Sequence, residues 1–164
     1  MKPLTSQELK TYWESLSSSL EAQLRTDPEG LGIVCDPGEP LWLNRFYAQF
    51  QKVAYEELFA MIPESKATKR ALNLGCGTRR WANFLHDHGY SVVGIDIQPR
   101  LIETNRVRFP EIEFRYASIQ EFQDPRPYDL ASSVTVLQHL PFDEQDQAIQ
   151  HIGRFVAYGG CSRT

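Results

Sequence analysis

The sequence predicts an α/β protein in which a doubly wound, mostly parallel sheet follows an N-terminal helical extension. Four short apolar runs in the second part of the chain alternate with stretches of helical periodicity, which is the order of a parallel sheet with right-handed crossovers. Two amphipathic segments without strand-like runs precede them. We therefore expect a helical extension over residues 1–66 and a sheet domain over residues 67–164.

Composition and charge limit the classes of function. The chain has 164 residues, enough for one domain, of which 41% are hydrophobic and 23% charged. A net charge of −4 argues against nucleic-acid binding, and no apolar run approaches the ~20 residues of a membrane span. Cys35, Cys76 and Cys161 are widely spaced and match neither a disulfide framework nor a metal site. We expect a cytoplasmic protein without a bound metal, membrane or nucleic acid.

The N-terminal extension is predicted to contain two helical segments. Apolar side chains share one helical face in the first segment, at Leu9, Tyr12, Leu16, Leu20 and Leu24. The turn sequence Asp27–Gly30 ends it, and a loop rich in glycine and proline runs to Pro40. The second helix is predicted from Leu41 to Ile62 and is closed by Pro63. Its expected buried side comprises Leu43, Phe46, Tyr47, Phe50, Ala54, Leu58 and Met61.

Aromatic side chains of the extension allow two interpretations. They are interpreted first as core residues, with the alternative that some of them cap a ligand pocket as part of a lid. The residues concerned are Tyr12, Trp13, Trp42 and Tyr47.

The sheet domain is predicted element by element. The strands are Ala71–Leu74, Ser91–Ile95, Ile112–Tyr116 and Tyr128–Ser133. The helices lie near Trp81–His88, Arg100–Arg108 and Asp143–Val156. Asp143 is the expected N-cap of the last helix, because its carboxylate can accept the free amides of the first turn.

The end of the sequence suggests an incomplete sheet. Gly159-Gly160 has the character of a turn that feeds a fifth strand, and only about one strand's length of chain follows it. We expect a truncated fold that lacks its last strands. An exposed sheet edge would then allow a homo-oligomer.

A glycine-rich turn between the first strand and the next helix is the strongest motif. Gly75 and Gly77 lack Cβ atoms, so the backbone can turn tightly and approach a ligand, and the helix that follows offers free amides. Asp96 ends the next strand, where its carboxylate can accept both hydroxyls of a ribose. These residues alone are compatible with NAD and with S-adenosylmethionine.

In detail, Leu72–Trp81 resembles the first motif of the class I S-adenosylmethionine-dependent methyltransferases, an acidic and a hydrophobic residue followed by Gly-Cys-Gly-Thr-Gly-Arg. Tyr128–Leu130 with Val136–Leu140 resembles the family's fourth motif, and Ala148–Gly160 resembles the helix and turn before its fifth strand. The similarity extends over Arg70–Cys161. It implies a Rossmann-like fold with S-adenosylmethionine as cofactor.

Two positions depart from the family pattern. Asn73 replaces the usual acidic residue, which keeps a carbonyl acceptor but removes the charge that attracts the cofactor's ammonium group. Arg79 replaces the third glycine, where a bulky side chain is expected to point outward.

The resemblance implies cofactor-binding roles for ten residues. Those that meet the methionine part of the cofactor are Asn73, Gly75, Cys76, Gly77, Arg80 and Val134, with Arg80 reaching the carboxylate. Those that meet the nucleoside are Asp96, Ile97, Ser118 and Ile119. Thr135 and His139 would face the methyl group and its acceptor, and His139 is the candidate catalytic base because its ordinary pKa suits proton transfer near neutral pH.

The implied activity is methyl transfer to an oxygen or nitrogen atom of a small molecule. A protein N-terminal methyltransferase is an alternative, suggested by Tyr12-Trp13 and Ile119–Phe122. A non-catalytic module that binds the cofactor or a partner is another, suggested by Asn73, Arg79 and the missing strands. An NAD-dependent dehydrogenase is the remaining alternative.

Overall fold

The computed structural model describes residues 5–16, 20–35, 38–62 and 69–156. The helices are α1 (Ser6–Leu16), α2 (Leu20–Thr26), α3 (Leu31–Val34), α4 (Leu41–Ala60), α5 (Arg80–Asp87), α6 (Pro99–Arg108) and α7 (Phe142–Gly153). The strands are β1 (Lys69–Leu74), β2 (Tyr90–Asp96), β3 (Glu113–Tyr116) and β4 (Leu130–Ser133), and a short 3-10 turn spans Leu137–His139. Within these ranges, no helix has both the length and the apolar character needed to cross a membrane.

The four described strands form one sheet in the order β3-β2-β1-β4, and all neighbouring pairs are parallel. Because the order reverses between β1 and β4, the carboxyl ends of these two strands open a crevice at the sheet edge. Val156 forms a parallel bridge with Tyr128, directly before β4. The predicted α/β fold with a parallel sheet is confirmed, while the predicted fifth strand lies outside the described residues.

Alternating side chains of the strands bury the two faces of the sheet separately. Ala71 and Val92 face one apolar cluster, together with α5 and α6. Leu72, Leu74 and Ile95 face the other cluster, together with α7. Because both faces of β1 and β2 are covered, their sequences are apolar runs and do not alternate between apolar and polar residues.

Helix α4 packs on the sheet with a different side from the predicted one. The side chains that it buries are those of Asn44 and Ala48, and Tyr55 stacks on Trp81 with ring centroids 4.2 Å apart. Several of the predicted core residues are exposed instead: Phe46, Tyr47, Phe50, Leu58 and Met61. The prediction was wrong because the packed side carries Asn44, Gln51 and Tyr55, so hydrophobicity did not identify it.

Three further details differ from the expectations. The glycine- and proline-rich loop contains the short helix α3, with Leu31 and Ile33 buried. Helix α7 begins at Phe142 after Pro141, so Asp143 lies inside the first turn and makes no capping hydrogen bond. Its charge still lies at the helix end where a carboxylate is favourable. In the first segment, Leu20 is buried but Tyr12 is exposed.

Candidate functional site

A cleft lies at the carboxyl ends of the strands and encloses about 950 Å³, counting the space open to solvent. Each strand contributes the residues that follow it, and α1 and α3 of the extension close the opposite side. From the sheet domain, the lining residues are Gly75, Cys76, Gly77, Thr78, Arg80, Trp81, Ile95, Asp96, Ile97, Gln98, Ala117, Ile119, Gln120, Val134, Thr135, Val136, His139 and Leu140. From the extension, they are Leu9, Trp13 and Val34.

The glycine turn leaves no room for larger residues. Gly75 and Gly77 have φ angles of 60° and 52°, in the left-handed region that favours glycine. A Cβ atom on Gly75 would lie 2.4 Å from Val136, and one on Gly77 would lie 2.7 Å from Val34. The backbone of the turn is therefore the inner surface of the cleft at this point.

Asp96 holds the glycine turn from the end of β2. Its Oδ2 accepts the amide of Gly77 at 2.8 Å, and its Oδ1 accepts the amide of Gln98 at 2.9 Å. Burial raises the pKa of Asp96 above its ordinary value, and hydrogen bonds from Gly77, Gln98 and Ile97 act in the opposite direction. A carboxylate has about four acceptor positions, so about one remains for a hydroxyl group of a ligand in the cleft.

Asn105 of α6 fixes the other side of the same turn. Its buried Nδ2 donates to the carbonyl oxygen of Gly77 at 2.8 Å. Gly77 is thus held at both its amide and its carbonyl, by side chains from two different elements. Glycine has the greatest backbone freedom, so these two bonds select one orientation of the adjoining peptide groups.

Several polar atoms of the cleft find no hydrogen-bond partner among the described residues. They are Nε and Nη1 of Arg80, Nε1 of Trp81 and Oε1 of Gln98, all on lining residues. Oδ1 of Asn73, on the neighbouring strand β1, is also buried and without a partner there. Such atoms are costly to bury. Their concentration here marks a place where a polar ligand supplies the missing hydrogen bonds.

Arg80 contributes a positive charge to the cleft. Its Nη2 donates to Gln51 at 2.8 Å, and its guanidinium carbon lies 4.5 Å from the Trp81 ring centroid. Burial lowers the pKa of Arg80 below its ordinary value. An anionic group of a ligand would offset this cost, as expected for the carboxylate of an amino acid.

Cys76 is a packing residue in this turn. Burial, together with the charge of Asp96, raises the pKa of its thiol well above the ordinary value. The thiolate is the nucleophilic form, so Cys76 is not a nucleophile at neutral pH.

Arg79 adopts the left-handed conformation that the family's glycine would take, with a φ of 78°. Its side chain points away from the cleft, in agreement with the expectation, and lies against the end of α6. The guanidinium carbon lies 3.7 Å from the ring centroid of Phe109, and the side chain is half-buried there. Stacking on the aromatic ring explains how a bulky residue is accommodated.

The far end of the cleft is formed by the turn after β4 and by α1. The His139 ring meets the Trp13 ring edge-on, with centroids 5.1 Å apart. Burial lowers the pKa of His139, and a hydrogen bond to the Thr135 backbone acts in the opposite direction. Thr135 has a φ of 56°, a strained value for a β-branched residue, which is typical of functional sites.

The remaining predicted residues divide into two groups. Ile97, Ile119 and Val134 line the cleft. The hydroxyl of Ser118 instead donates to Glu121 at 2.8 Å, and Ala117, Ile119 and Gln120 form the cleft wall around it. Its predicted contact with adenine remains a prediction.

The aromatic residues of the extension lie in different environments. Trp13 lines the cleft, in agreement with the lid interpretation. The side chains of Tyr12, Trp42 and Tyr47 are 46%, 69% and 48% exposed, so they belong neither to the core nor to the cleft wall.

Sequence reasoning missed Gln98, Trp81 and Asn105. Asn105 had a detectable signal, since it shares the buried face of α6 with Leu101 and Ile102, where an amide side chain needs a partner. The roles of Gln98 and Trp81 depend on unpartnered atoms, which only the tertiary structure reveals.

Comparison with known proteins agrees with this geometry. The sequence model of the family described as "Methyltransferase domain" matches residues 71–160. A trans-aconitate 2-methyltransferase of Methylobacterium radiotolerans is 30% identical over 61% of this chain and 40% of its own length. A malonyl-[acyl-carrier protein] O-methyltransferase of Acetivibrio thermocellus is 35% identical over 56% of this chain and 34% of its own length.

Solved structures share the fold. A DhpI-SAM-HEP complex superposes with a TM-score of 0.66 at 20% identity, covering 98% of this chain and 65% of that one. The magnesium protoporphyrin IX methyltransferase of Synechocystis with bound SAM superposes with a TM-score of 0.62 at 19% identity, covering 90% and 72%. By contrast, the chain spans less than half the length of the two curated methyltransferases described above. With its parallel sheet, its glycine turn and a family match over more than half of its residues, the chain belongs to the class I S-adenosylmethionine-dependent methyltransferases.

Proposed function

We propose that this chain forms the cofactor-binding core of an enzyme that transfers a methyl group from S-adenosylmethionine to an oxygen or nitrogen atom of a small molecule. Residues 67–164 would bind the cofactor, and the helices of residues 1–66 would cover the cleft.

The unpartnered polar atoms of the cleft are the observation that carries this proposal. Nε and Nη1 of Arg80 suit the carboxylate of the cofactor, and Oδ1 of Asn73 suits its ammonium group. The glycine turn of Gly75 and Gly77 has space only for backbone, which suits a ligand that approaches the main chain. The acceptor position of Asp96 that its amide donors leave unused suits a ribose hydroxyl.

When bound, S-adenosylmethionine supplies an activated methyl group on a sulfonium ion. The chain's own task is to hold the acceptor in line and to exclude water. In this proposal His139 receives a proton from the acceptor, since burial lowers its pKa and so favours the neutral ring that can accept a proton. The Trp13 ring is in contact with the His139 ring at this position.

The names of the relatives favour a small-molecule acceptor. They include a trans-aconitate 2-methyltransferase and ubiquinone biosynthesis O-methyltransferases. These names support small-molecule methylation over a protein N-terminus or a non-catalytic role, and the family match opposes an NAD-dependent dehydrogenase.

Methyl transfer is tested with S-adenosylmethionine carrying a labelled methyl group and a panel of hydroxyl- and amine-containing metabolites. We expect label in at least one acceptor, and a rate that rises with pH through a pKa below the ordinary value of histidine. His139→Gln should abolish this rise of the rate with pH. His86→Gln, on helix α5 and outside the cleft lining, should retain it. Failure to bind cofactor or to label any acceptor would contradict the proposal.

A further inference from the structure

Building on the proposed function, we propose that the acceptor is an uncharged aromatic alcohol whose ring lies against Trp13 and whose hydroxyl group meets His139. The charge distribution of the cleft, the placement of Trp13 and the environment of His139 support this substrate class.

Charge in the cleft is confined to one end. Among the described lining residues, the permanently charged side chains are Arg80 and Asp96. Asp96 follows β2 and holds Gly77, and Arg80 begins the helix after the glycine turn. Both therefore lie where the cofactor is proposed to bind, and neither serves as a counter-ion for the acceptor.

The acceptor end has apolar walls. Leu9 and Trp13 of α1 lie on one side, and Val136 and Leu140 of the turn after β4 lie on the other. The polar lining residues in the turn after β4 are Thr135 and His139, and burial lowers the pKa of His139, which favours its neutral form. A carboxylate or phosphate placed there would lose its hydration without gaining a cation from the described lining residues, which is unfavourable.

Trp13 supplies the surface for an aromatic ring. Its indole meets the His139 ring at an interplanar angle of 77°. Tyr12 meets the same indole edge-on, with ring centroids 5.2 Å apart. A flat ring that packs against the part of the indole lining the cleft would lie beside the imidazole, because aromatic pairs favour stacked or edge-on contacts. Helix α1 is also fixed at the end of β3, where Nζ of Lys10 donates to the hydroxyl of Tyr116 at 2.7 Å.

The environment of His139 selects a hydroxyl group. A neutral imidazole has one donor and one acceptor nitrogen. A neutral hydroxyl can donate to the acceptor nitrogen. A carboxylate cannot, and it would add an unpaired charge beside the ring.

The inference is tested by binding rather than turnover. Calorimetry and ligand-observed NMR on the full chain, saturated with S-adenosylhomocysteine, compare 2-naphthol with 2-naphthoate, which has the same rings but carries a carboxylate. Trans-aconitate serves as a tricarboxylate probe. We expect 2-naphthol to bind at least tenfold more tightly than either anion.

Two variants assign the effect to Trp13. Trp13→Ala should weaken 2-naphthol binding at least tenfold, and Trp13→Phe should recover most of it. Trp42→Ala, on an exposed tryptophan outside the cleft lining, should change it less than twofold. Saturation with S-adenosylhomocysteine is verified for each variant, and a cooperative urea-unfolding transition shows that each variant is folded.

The outcomes separate the two proposals. Absence of S-adenosylhomocysteine binding in the unaltered chain would overturn the proposed function. Normal S-adenosylhomocysteine binding with a preference for an anionic probe, or with a Trp13→Ala variant that retains 2-naphthol affinity, would overturn this inference alone.

Discussion

The amide nitrogen of Gly77 lies 2.8 Å from Oδ2 of Asp96, so the carboxylate at the tip of β2 is also the acceptor that shapes the glycine turn after β1. The two parts of the cofactor site, which the sequence separates by a helix, are thus one hydrogen-bonded unit. Changes to either residue should alter both the shape of the turn and its ligand affinity.

Replacement of Gly77 by alanine should destabilise the fold in two ways, by backbone strain and by a steric clash. The positive φ of Gly77 strains any L-residue by about 1 kcal/mol or more, and its Cβ would lie 2.7 Å from Val34. We expect Gly77→Ala to lower the free energy of unfolding by about 2 kcal/mol, measured by urea denaturation.

Alanine variants of two other glycines serve as controls that separate the strain from the clash. Gly89 has a φ of 83° with open space around it, so Gly89→Ala should cost only the strain. Gly153, at the end of α7, has open space without a positive φ, so Gly153→Ala should be neutral or slightly stabilising. Equal effects at all three positions would contradict the steric account of the turn.

Loss of the Asn105 side chain should weaken cofactor binding from outside the cleft. Asn105→Ala leaves the Gly77 carbonyl without its donor and lets the turn reorient. We expect the dissociation constant of S-adenosylhomocysteine to rise on the order of tenfold, equivalent to about 1.4 kcal/mol. Asn83→Ala is the matched control, because that amide bonds to Asp87 on the surface of α5. If both variants bind the ligand as tightly as the unaltered chain, Asn105 does not position the turn.

Asp124, outside the described cleft lining, should make the stability of the fold depend on pH. Its side chain is fully buried and contacts Arg70 at 3.3 Å and Arg115 at 3.1 Å. Burial alone would raise the pKa of Asp124, but hydrogen bonds from Arg126 and Tyr128 and the charges of the two arginines lower it to about 2. The contribution to stability is therefore complete well above 3.8, the ordinary value, and is lost as the pH falls towards 2.

The corresponding measurement compares the chain with its Asp124→Asn variant. Near neutral pH the lowered pKa is equivalent to about 2 kcal/mol of stability. The difference in unfolding free energy between the two proteins should shrink by about that amount between neutral pH and pH ~2. A difference that is constant with pH would contradict the ionised, paired state of Asp124.

Local patterns in the sequence were sufficient to predict the sheet. Each predicted strand is present with small shifts at its ends. Strands β1 and β2 are buried on both faces and leave apolar runs, whereas β3 shows the alternation of a strand with one exposed face. The glycine turn and Asp96 were predictable for a related reason. Their spacing follows from the strand–helix–strand unit and needs no knowledge of distant contacts.

Features that depend on long-range packing were not predictable. Helix α4 carries apolar residues on more than one side, so the sequence does not reveal that Tyr55 packs on Trp81 while Phe50 is exposed. The placement of Trp13 on His139 depends in the same way on contacts between segments more than a hundred residues apart. Periodicity identifies a helix but selects its buried side only when a single apolar stripe exists.

Calorimetric titration of S-adenosylhomocysteine into the chain and its Asp96→Asn variant tests the central claim most directly. Asparagine keeps the shape of the side chain but loses charge and one acceptor oxygen, so we expect the dissociation constant to rise at least tenfold (about 1.4 kcal/mol). Asp146→Asn, on the exposed surface of α7, should leave it unchanged. Equal affinity in the folded Asp96→Asn variant and the unaltered chain would contradict the assignment of this cleft to the cofactor.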